Sequence, residues 1–168
     1  VEGFWFNTLL ERSNQSERRY FSAGALLGSA MISRCPVTVR FCPQLTSLLI
    51  VNDLEDLPLP SEADLGTFDP DVLKACRNVL TLERAEFESM LEFDDFPTSL
   101  STSEYVRAVA KRMLLDDVRW QIRCLRRGFY GALGAFRGEF SSFRFDAVAI
   151  QEILAGYVPG ADFSFRDT

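Results

Sequence analysis

The chain has 168 residues, of which 47% are hydrophobic, so it is long and apolar enough to bury a core as one domain or a large piece of one. Its formal net charge of −6 argues against general binding to the phosphate backbone of nucleic acids. Histidine is absent, which excludes Ser–His and Cys–His catalysis and removes the most common metal ligand.

Four cysteines are scattered along the chain, at Cys35, Cys42, Cys76 and Cys124, and no two of them form a CxxC pair. This spacing argues against a zinc site and against a disulfide framework, and it favours a reducing compartment. No apolar run approaches the length of about 20 residues that a membrane span needs. The chain begins with Val1 rather than methionine, so we interpret it as a piece of a larger protein.

The first predicted helix covers residues 17–34, and Asn14 and Glu17 have the spacing of a capping box before it. Gly24 and Gly28 lie on its apolar face, where each glycine costs about 1 kcal/mol relative to alanine. Close approach of a neighbouring element would offset that cost, so we expect another helix or strand to pack directly on this face.

The middle of the chain contains shorter predicted elements. Pro43 falls in the first turn of a short helix, and the acidic segment 52–68 is predicted to be a connection with one helical turn. A helix over 69–82 is expected to begin with Asp69 as its cap and Pro70 in its first position. The segment 86–96, "EFESMLEFDDF", is predicted to be extended.

The helix over 101–115 opens with a capping box formed by Ser101 and Glu104, and Asp116 is the predicted cap of the helix that follows. That following helix contains the basic stretch "VRWQIRCLRRGFYGAL". Its apolar residues form a single stripe at i, i+4, i+7, i+11 and i+15, which predicts a buried face of Val118, Ile122, Leu125, Phe129 and Leu133.

The arginines of this stretch fall largely off the apolar stripe, at Arg119, Arg123, Arg126 and Arg127. The simplest interpretation is an amphipathic core helix with a solvated basic side, and a partner surface or a nucleic-acid surface are the alternatives. A last helix is predicted over 140–155 and ends at Gly156.

No catalytic motif stands out in the sequence. The pairs Asp94–Asp95 and Asp116–Asp117 are more typical of caps and turns than of acid–base catalysis, and the chain lacks a phosphate-binding loop and a nucleophile elbow. These observations predict a mostly helical domain without an active site, a metal or a cofactor of its own.

Six segments, in order, resemble the amino-terminal lobe of the catalytic domain of HECT-type ubiquitin ligases. They are "GFWFN", "YFSAGALLGSAM", "VTVRFCPQLTSLLI", "DLGTFDPDVLKACRNVL", "EYVRAVAKRMLLDDVRWQIRCLRRGFYGAL" and "IQEILAGYVPGADFSF". The resemblance implies an α+β, predominantly α-helical fold. It also implies that "GFWFN" is an entry strand, that residues 1–68 and 111–168 form the larger subdomain, and that 69–110 form the smaller one.

The chain departs from the family in two ways. Only "DDFPTSLSTS" stands between Phe93 and Glu104, where the family carries a longer segment with a hairpin, so the smaller subdomain is shortened. The chain also ends before the family's carboxy-terminal lobe, which holds the cysteine that accepts ubiquitin. None of the four cysteines lies in that family context, so no residue is predicted to be catalytic.

The family's smaller subdomain holds an apolar groove for a ubiquitin-conjugating enzyme, which inserts a phenylalanine. The resemblance places the groove at Val72, Ala75, Cys76, Leu82, Met90 and Tyr105. An ordinary core role competes for Val72 and Cys76, whereas Leu82 and Met90 are better surface candidates. If the groove persists, we expect Leu82, Met90 and Tyr105 to form a shallow apolar pocket that is open to solvent.

Two function classes follow from the resemblance, and a third is independent of it. The chain is either the lobe of a working ligase that recruits a conjugating enzyme, or a diverged lobe that acts as a structural or interaction module in a larger assembly. An unrelated helical scaffold is the third reading. For the ligase, the implied partners are the conjugating enzyme, the carboxy-terminal lobe and a protein substrate, with neither nucleic acid nor membrane. The implied location is the cytoplasm or the nucleus.

Overall fold

A computed structural model of the chain describes residues 5–37, 41–51, 59–134 and 147–155. These residues form helices, turns and one isolated bridge residue at Phe41, and none of them lies in a β-strand. The expectation of an α+β fold like that of a HECT amino-terminal lobe is therefore wrong for the described part of the chain. Of the "GFWFN" segment, residues 5–7 have no regular secondary structure and the first two lie outside the described residues.

Residues 86–93 of the segment predicted to be extended, 86–96, instead belong to a helix at Arg84–Phe93, which is α5 in chain order. Phe87 and Leu91 are buried in one core, and Met90 packs against the same core. This i, i+3, i+4 pattern fits one side of a helix, whereas a strand would turn Met90 to the opposite face from its two neighbours. Packing against other helices thus decides the conformation of this segment.

The described residues divide into two compact units. The central unit comprises residues 59–119, and the terminal unit comprises 5–37, 41–51, 120–134 and 147–155. The predicted smaller subdomain, 69–110, lies within the central unit.

The central unit contains α3 (Glu62–Phe68), α4 (Pro70–Val79), α5 and α6 (Thr102–Lys111). The predicted start of α4 is confirmed, because the Oδ1 atom of Asp69 accepts hydrogen bonds from two backbone N–H groups of the first turn and Pro70 follows. Apolar side chains from all four helices form one core, which consists of Leu65, Cys76, Phe87, Leu91, Tyr105, Val106 and Ala110.

The capping box at the start of α6 is also confirmed. The Glu104 carboxylate accepts hydrogen bonds from the Ser101 hydroxyl and the Ser101 backbone N–H, and these bonds lower the pKa of Glu104. The predicted cap at Asp116 is wrong. The chain passes from α6 into a π-helical turn at Arg112–Asp116, and Asp116 instead accepts hydrogen bonds from the Lys111 Nζ atom at 2.7 Å and from Arg119 at 3.3 Å.

The terminal unit contains α1 (Asn14–Ser33), α2 (Pro43–Ile50), most of α7 (Arg119–Leu133) and α8 (Ala147–Ala155). Pro43 opens α2 as predicted. The capping box of α1 lies one residue earlier than predicted, because the side chains of Ser13 and Ser16 exchange hydrogen bonds with each other's backbone N–H groups. Helix α8 packs against α1 and α2, and the predicted stop at Gly156 lies outside the described residues.

Helices α1 and α7 cross at glycines, which confirms the close approach expected from the first helix. A Cβ atom added to Gly24 would lie 1.9 Å from the carbonyl oxygen of Leu125. A Cβ atom added to Gly128 would lie 1.9 Å from the carbonyl oxygen of Phe21. No side chain fits at these two positions, so the glycines let the two backbones touch.

The apolar stripe of α7 is confirmed for Ile122, Leu125, Phe129 and Leu133, which are all buried. The fifth predicted residue, Val118, is also buried but precedes the helix. The arginines on this helix do not form one solvated basic side. Arg123 is exposed as predicted, and Arg127 lies over the ring of Phe21 with its Cζ atom 5.4 Å from the ring centroid. Arg126 is half-buried, and its guanidinium donates hydrogen bonds to the carbonyls of Leu48, Leu49 and Val51 at the end of α2.

Candidate protein-docking site

All six residues that the resemblance places in a conjugating-enzyme groove belong to the central unit, but the structure gives them different environments. Cys76 and Tyr105 are buried in the core, and Val72 and Met90 are half-buried and pack against it. Ala75 and Leu82 are exposed. The core role that competed for Cys76 is therefore the observed one, and only part of the predicted set is accessible to a partner.

Tyr105 is only 4% exposed, so the expectation that it lines an open pocket is wrong. Its ring makes edge contacts with Phe87 and Phe96, at centroid distances of 5.7 and 5.8 Å. Its hydroxyl lies 3.5 Å from the Oδ2 atom of Asp94. Burial is the main cause that raises the pKa of Tyr105 to about 12. The ring acts as a core side chain that joins α6 to α5 and to the turn after it.

The buried thiols of the described residues offer no activated nucleophile. Burial raises the pKa values of Cys42, Cys76 and Cys124, so these thiols stay protonated near neutral pH. Cys35 is the exposed cysteine. The described residues also contain no group of three acidic or sulfur side chains that could hold a metal ion.

Exposed apolar side chains lie on α5 and in the turn before it. Phe93 is 89% exposed, Leu82 is 39% exposed and Leu80 is 36% exposed. Met90 and Phe93 are three residues apart, which places them side by side on the helix surface. We call Leu80, Leu82, Met90 and Phe93 the α5 apolar surface.

Sequence reasoning missed Phe93 because it treated 86–96 as extended. In a strand, Met90 and Phe93 would face opposite sides, and no shared surface would be expected. The helical spacing of Phe87, Met90 and Leu91 was the available signal. Once α5 is a helix, the aromatic ring of Phe93 lies on its outer side, where it does not contribute to the core.

Carboxylates surround the α5 apolar surface. Residues 83–95 contain six acidic side chains and a single basic one, Arg84, which pairs with Glu88. After α5, the chain turns at Asp95, whose φ of 57° is left-handed, and the backbone N–H of Phe96 donates to the carbonyl of Leu91. Arg112 secures this turn, because its guanidinium lies 5.2 Å from the Phe96 ring centroid and donates to the Asp94 carbonyl.

The sequence matches no family model, no curated protein and no solved structure in the three comparisons made. Among the described residues, no helix is long and apolar enough to cross a membrane.

Proposed function

We propose that this chain is a protein-docking part of a ubiquitin ligase, which recruits a ubiquitin-conjugating enzyme through the α5 apolar surface and performs no chemistry itself. The observation that carries the proposal is the exposure of Leu82, just before α5, and of Phe93, at the end of α5, together with the half-buried Met90 on the same helix. Exposed aromatic and aliphatic side chains that stand together are typical of protein interfaces, where a few anchors supply most of the binding energy.

Two further observations support this role. The six segments that resemble HECT-type ligases run in the family order along nearly the whole chain, and two of the six expected groove positions, Leu82 and Met90, belong to the α5 apolar surface. The buried thiols of the described residues are poorly suited to accept ubiquitin. In this proposal, the acceptor cysteine belongs to another part of the ligase.

Leu82→Asp provides the cleanest test, because Leu82 is exposed and a charge there leaves the core intact. The isotope-labelled chain is titrated by NMR with a panel of ubiquitin-conjugating enzymes. The proposal predicts saturable shifts in residues of the central unit and loss of binding in Leu82→Asp, since an aspartate at the contact would have to be desolvated. Leu9→Asp, which places the same charge at an exposed leucine of the terminal unit, serves as the control.

Met90→Asp is a weaker variant, because Met90 packs against the core and the charge would disturb folding as well as binding. Its unfolding midpoint must therefore be measured beside its affinity. Equal binding by wild type and Leu82→Asp would contradict the proposed surface.

A second candidate is an interaction module that docks a different protein within a larger assembly. The burial of Tyr105 and the lack of strands in the described residues favour it, because both depart from what the family resemblance implies. In this case no conjugating enzyme in the panel would shift the spectrum, and the same surface would serve another partner.

A further inference from the structure

The negative charge of the chain is concentrated on α5 and its two flanking turns. Six carboxylates and one guanidinium give residues 83–95 a net charge of −5, against −6 for all 168 residues. The rest of the chain is therefore nearly neutral in sum. The Arg112 guanidinium also contacts this segment, at the Asp94 carbonyl, and the segment stays net negative. Such an excess of negative charge attracts ligands of the opposite sign and repels phosphates and anionic lipids.

The carboxylates at the end of α5 contribute little to the stability of the central unit, whereas Glu86, in the first turn, is favourably placed at the positive pole of the helix dipole. Only Glu88 forms an ion pair, with Arg84, whereas Glu83, Glu86, Glu92 and Asp95 form none among the residues that the structure describes. Acidic side chains at the end of α5 face the negative pole of the helix dipole, an unfavourable place for them. Glu88 and Glu92 are also like charges at i, i+4.

An aromatic side chain stands within this acidic surface. Phe93 is 89% exposed, and it lies on the same side of α5 as Met90 and Glu86, at i, i−3 and i−7. Its ring can contact an apolar side chain of a partner or the ammonium or guanidinium group of a cation. Phe93 is an exposed apolar anchor, and the exposed carboxylates of Glu86 and Glu92 on the same helix form its acidic rim.

We propose that this surface binds a lysine- or arginine-rich segment of a partner protein, which places one apolar side chain on Phe93 and its cations on the carboxylates of α5. Charge complementarity identifies this occupant, since the acidic rim disfavours acidic proteins. The described residues contain no group of three ligands for a metal ion. The cationic group of a flexible lysine or arginine side chain therefore fits this surface better than a coordinated metal ion. The inference rests on the proposed docking function and specifies the chemistry of the partner.

The binding mode has a characteristic dependence on salt. Cations on exposed carboxylates are screened at high ionic strength, whereas the contact of an apolar side chain with Phe93 is not. Removal of the Phe93 anchor should therefore weaken binding at every salt concentration. Removal of carboxylates should weaken binding at low salt and reduce its dependence on salt.

The test uses a fluorescent synthetic peptide of lysine and serine residues with one central leucine, and binding to the chain is measured by fluorescence anisotropy. Saturable binding is expected, and Phe93→Ala should weaken it by about tenfold, as for loss of an anchor residue. Leu9→Ala, which removes an equally exposed apolar side chain from the terminal unit, should leave the affinity unchanged.

Two matched peptides and one charge variant complete the experiment. A peptide with glutamate in place of lysine should not bind, and a peptide with alanine in place of leucine should bind the wild type weakly. The double variant Glu86→Gln/Glu92→Gln should bind the original peptide less tightly and with a smaller dependence on salt. Both substitutions are on exposed side chains, so the fold should be preserved.

The inference is overturned if the lysine peptide does not bind, if the glutamate peptide binds equally well, or if Phe93→Ala and Leu9→Ala have the same effect. The docking proposal has its own readout. Peptide binding without binding to any conjugating enzyme removes the recruitment role and keeps the basic-segment inference. Binding to a conjugating enzyme that is lost in Leu82→Asp, without peptide binding, keeps the recruitment role and removes the basic-segment inference.

Discussion

Arg126 connects two helices of the terminal unit through its guanidinium. The last carbonyls of α2 have no partner within their own helix, and the guanidinium on α7 supplies donors to the carbonyls of Leu48, Leu49 and Val51. The side chain also lies over the ring of Tyr130, with 5.3 Å from Cζ to the centroid. A charged group thus acts here as a cap supplied by a neighbouring element.

Arg126→Gln should lower the free energy of unfolding by about 1–2 kcal/mol, because charge-assisted hydrogen bonds to half-buried carbonyls are lost. Arg123→Gln, on the same helix but exposed, should change it by no more than about 0.5 kcal/mol. Denaturant midpoints of the two variants give the comparison. Equal midpoints would show that the contacts of Arg126 contribute nothing.

Tyr105 makes the stability of the chain sensitive to alkaline pH. Burial raises its folded-state pKa from 10.0 to about 12, so the folded chain holds this proton more tightly than the unfolded chain does. The resulting stabilisation is fully present below pH 10 and is lost as the pH rises towards 12.

Tyr105→Phe should keep the packing of the ring and remove this pH dependence. The hydroxyl makes only a long contact of 3.5 Å with Asp94, so the variant should be close to wild type at neutral pH. Unfolding free energies of the two proteins, measured from neutral pH to above pH 10, should diverge only in the alkaline range. Parallel curves would contradict the assigned environment of Tyr105.

At the scale of helices, the contact between α1 and α7 depends on small residues. The two backbones approach so closely at Gly24 that a methyl group has no space, and the obstacle is a backbone carbonyl that cannot rotate away. The low helix propensity of glycine is offset by this contact, which a larger residue would prevent.

Gly24→Ala should lower the free energy of unfolding by about 3 kcal/mol, since the two helices must move apart. Gly131→Ala on α7 is the matched control, because an added Cβ there meets nothing within 4 Å. It should stabilise the chain by up to about 1 kcal/mol through helix propensity alone. Thermal or denaturant unfolding measures both, and a tolerated Gly24→Ala would contradict the tight crossing.

Substitution of Phe129 tests how much the buried apolar stripe of α7 contributes to stability. Its side chain is fully buried, and Phe129→Ala should lower the free energy of unfolding by about 3–5 kcal/mol. The denaturant midpoint is again the measurement, with Arg123→Gln as the surface reference on the same helix. A midpoint close to that of wild type would contradict a major contribution of the apolar stripe to the stability of the core.

At the scale of the whole molecule, the proposed function requires that the chain bind without accepting ubiquitin. Three of its thiols are buried, with pKa values raised by burial, and Cys35 is exposed. Incubation with activating enzyme, conjugating enzymes and ubiquitin should therefore give no thiol-sensitive adduct on Cys42, Cys76 or Cys124 on a non-reducing gel, and the docking role predicts none on Cys35. A reducible ubiquitin adduct on any of the four cysteines would contradict the docking role.

The sequence by itself determined the features that depend on a few neighbouring residues. The starts of α4 and α6, the proline that opens α2 and the buried stripe of α7 follow from capping chemistry and from a period of 3.6 residues, and all of them were predictable. The glycines of α1 signalled a close contact, although the sequence did not identify α7 as the partner.

Only the tertiary structure decided the state of α5, the burial of Tyr105 and the partners of Arg126. Each depends on elements distant in sequence: α5 is a helix because its apolar side faces a core built from α3, α4 and α6, and Arg126 is ordered by carbonyls 75 to 78 residues away. Local patterns specify how a segment can fold and which side is apolar. They do not specify which side chains the neighbouring helices will cover, and that choice left Phe93 exposed and Tyr105 buried.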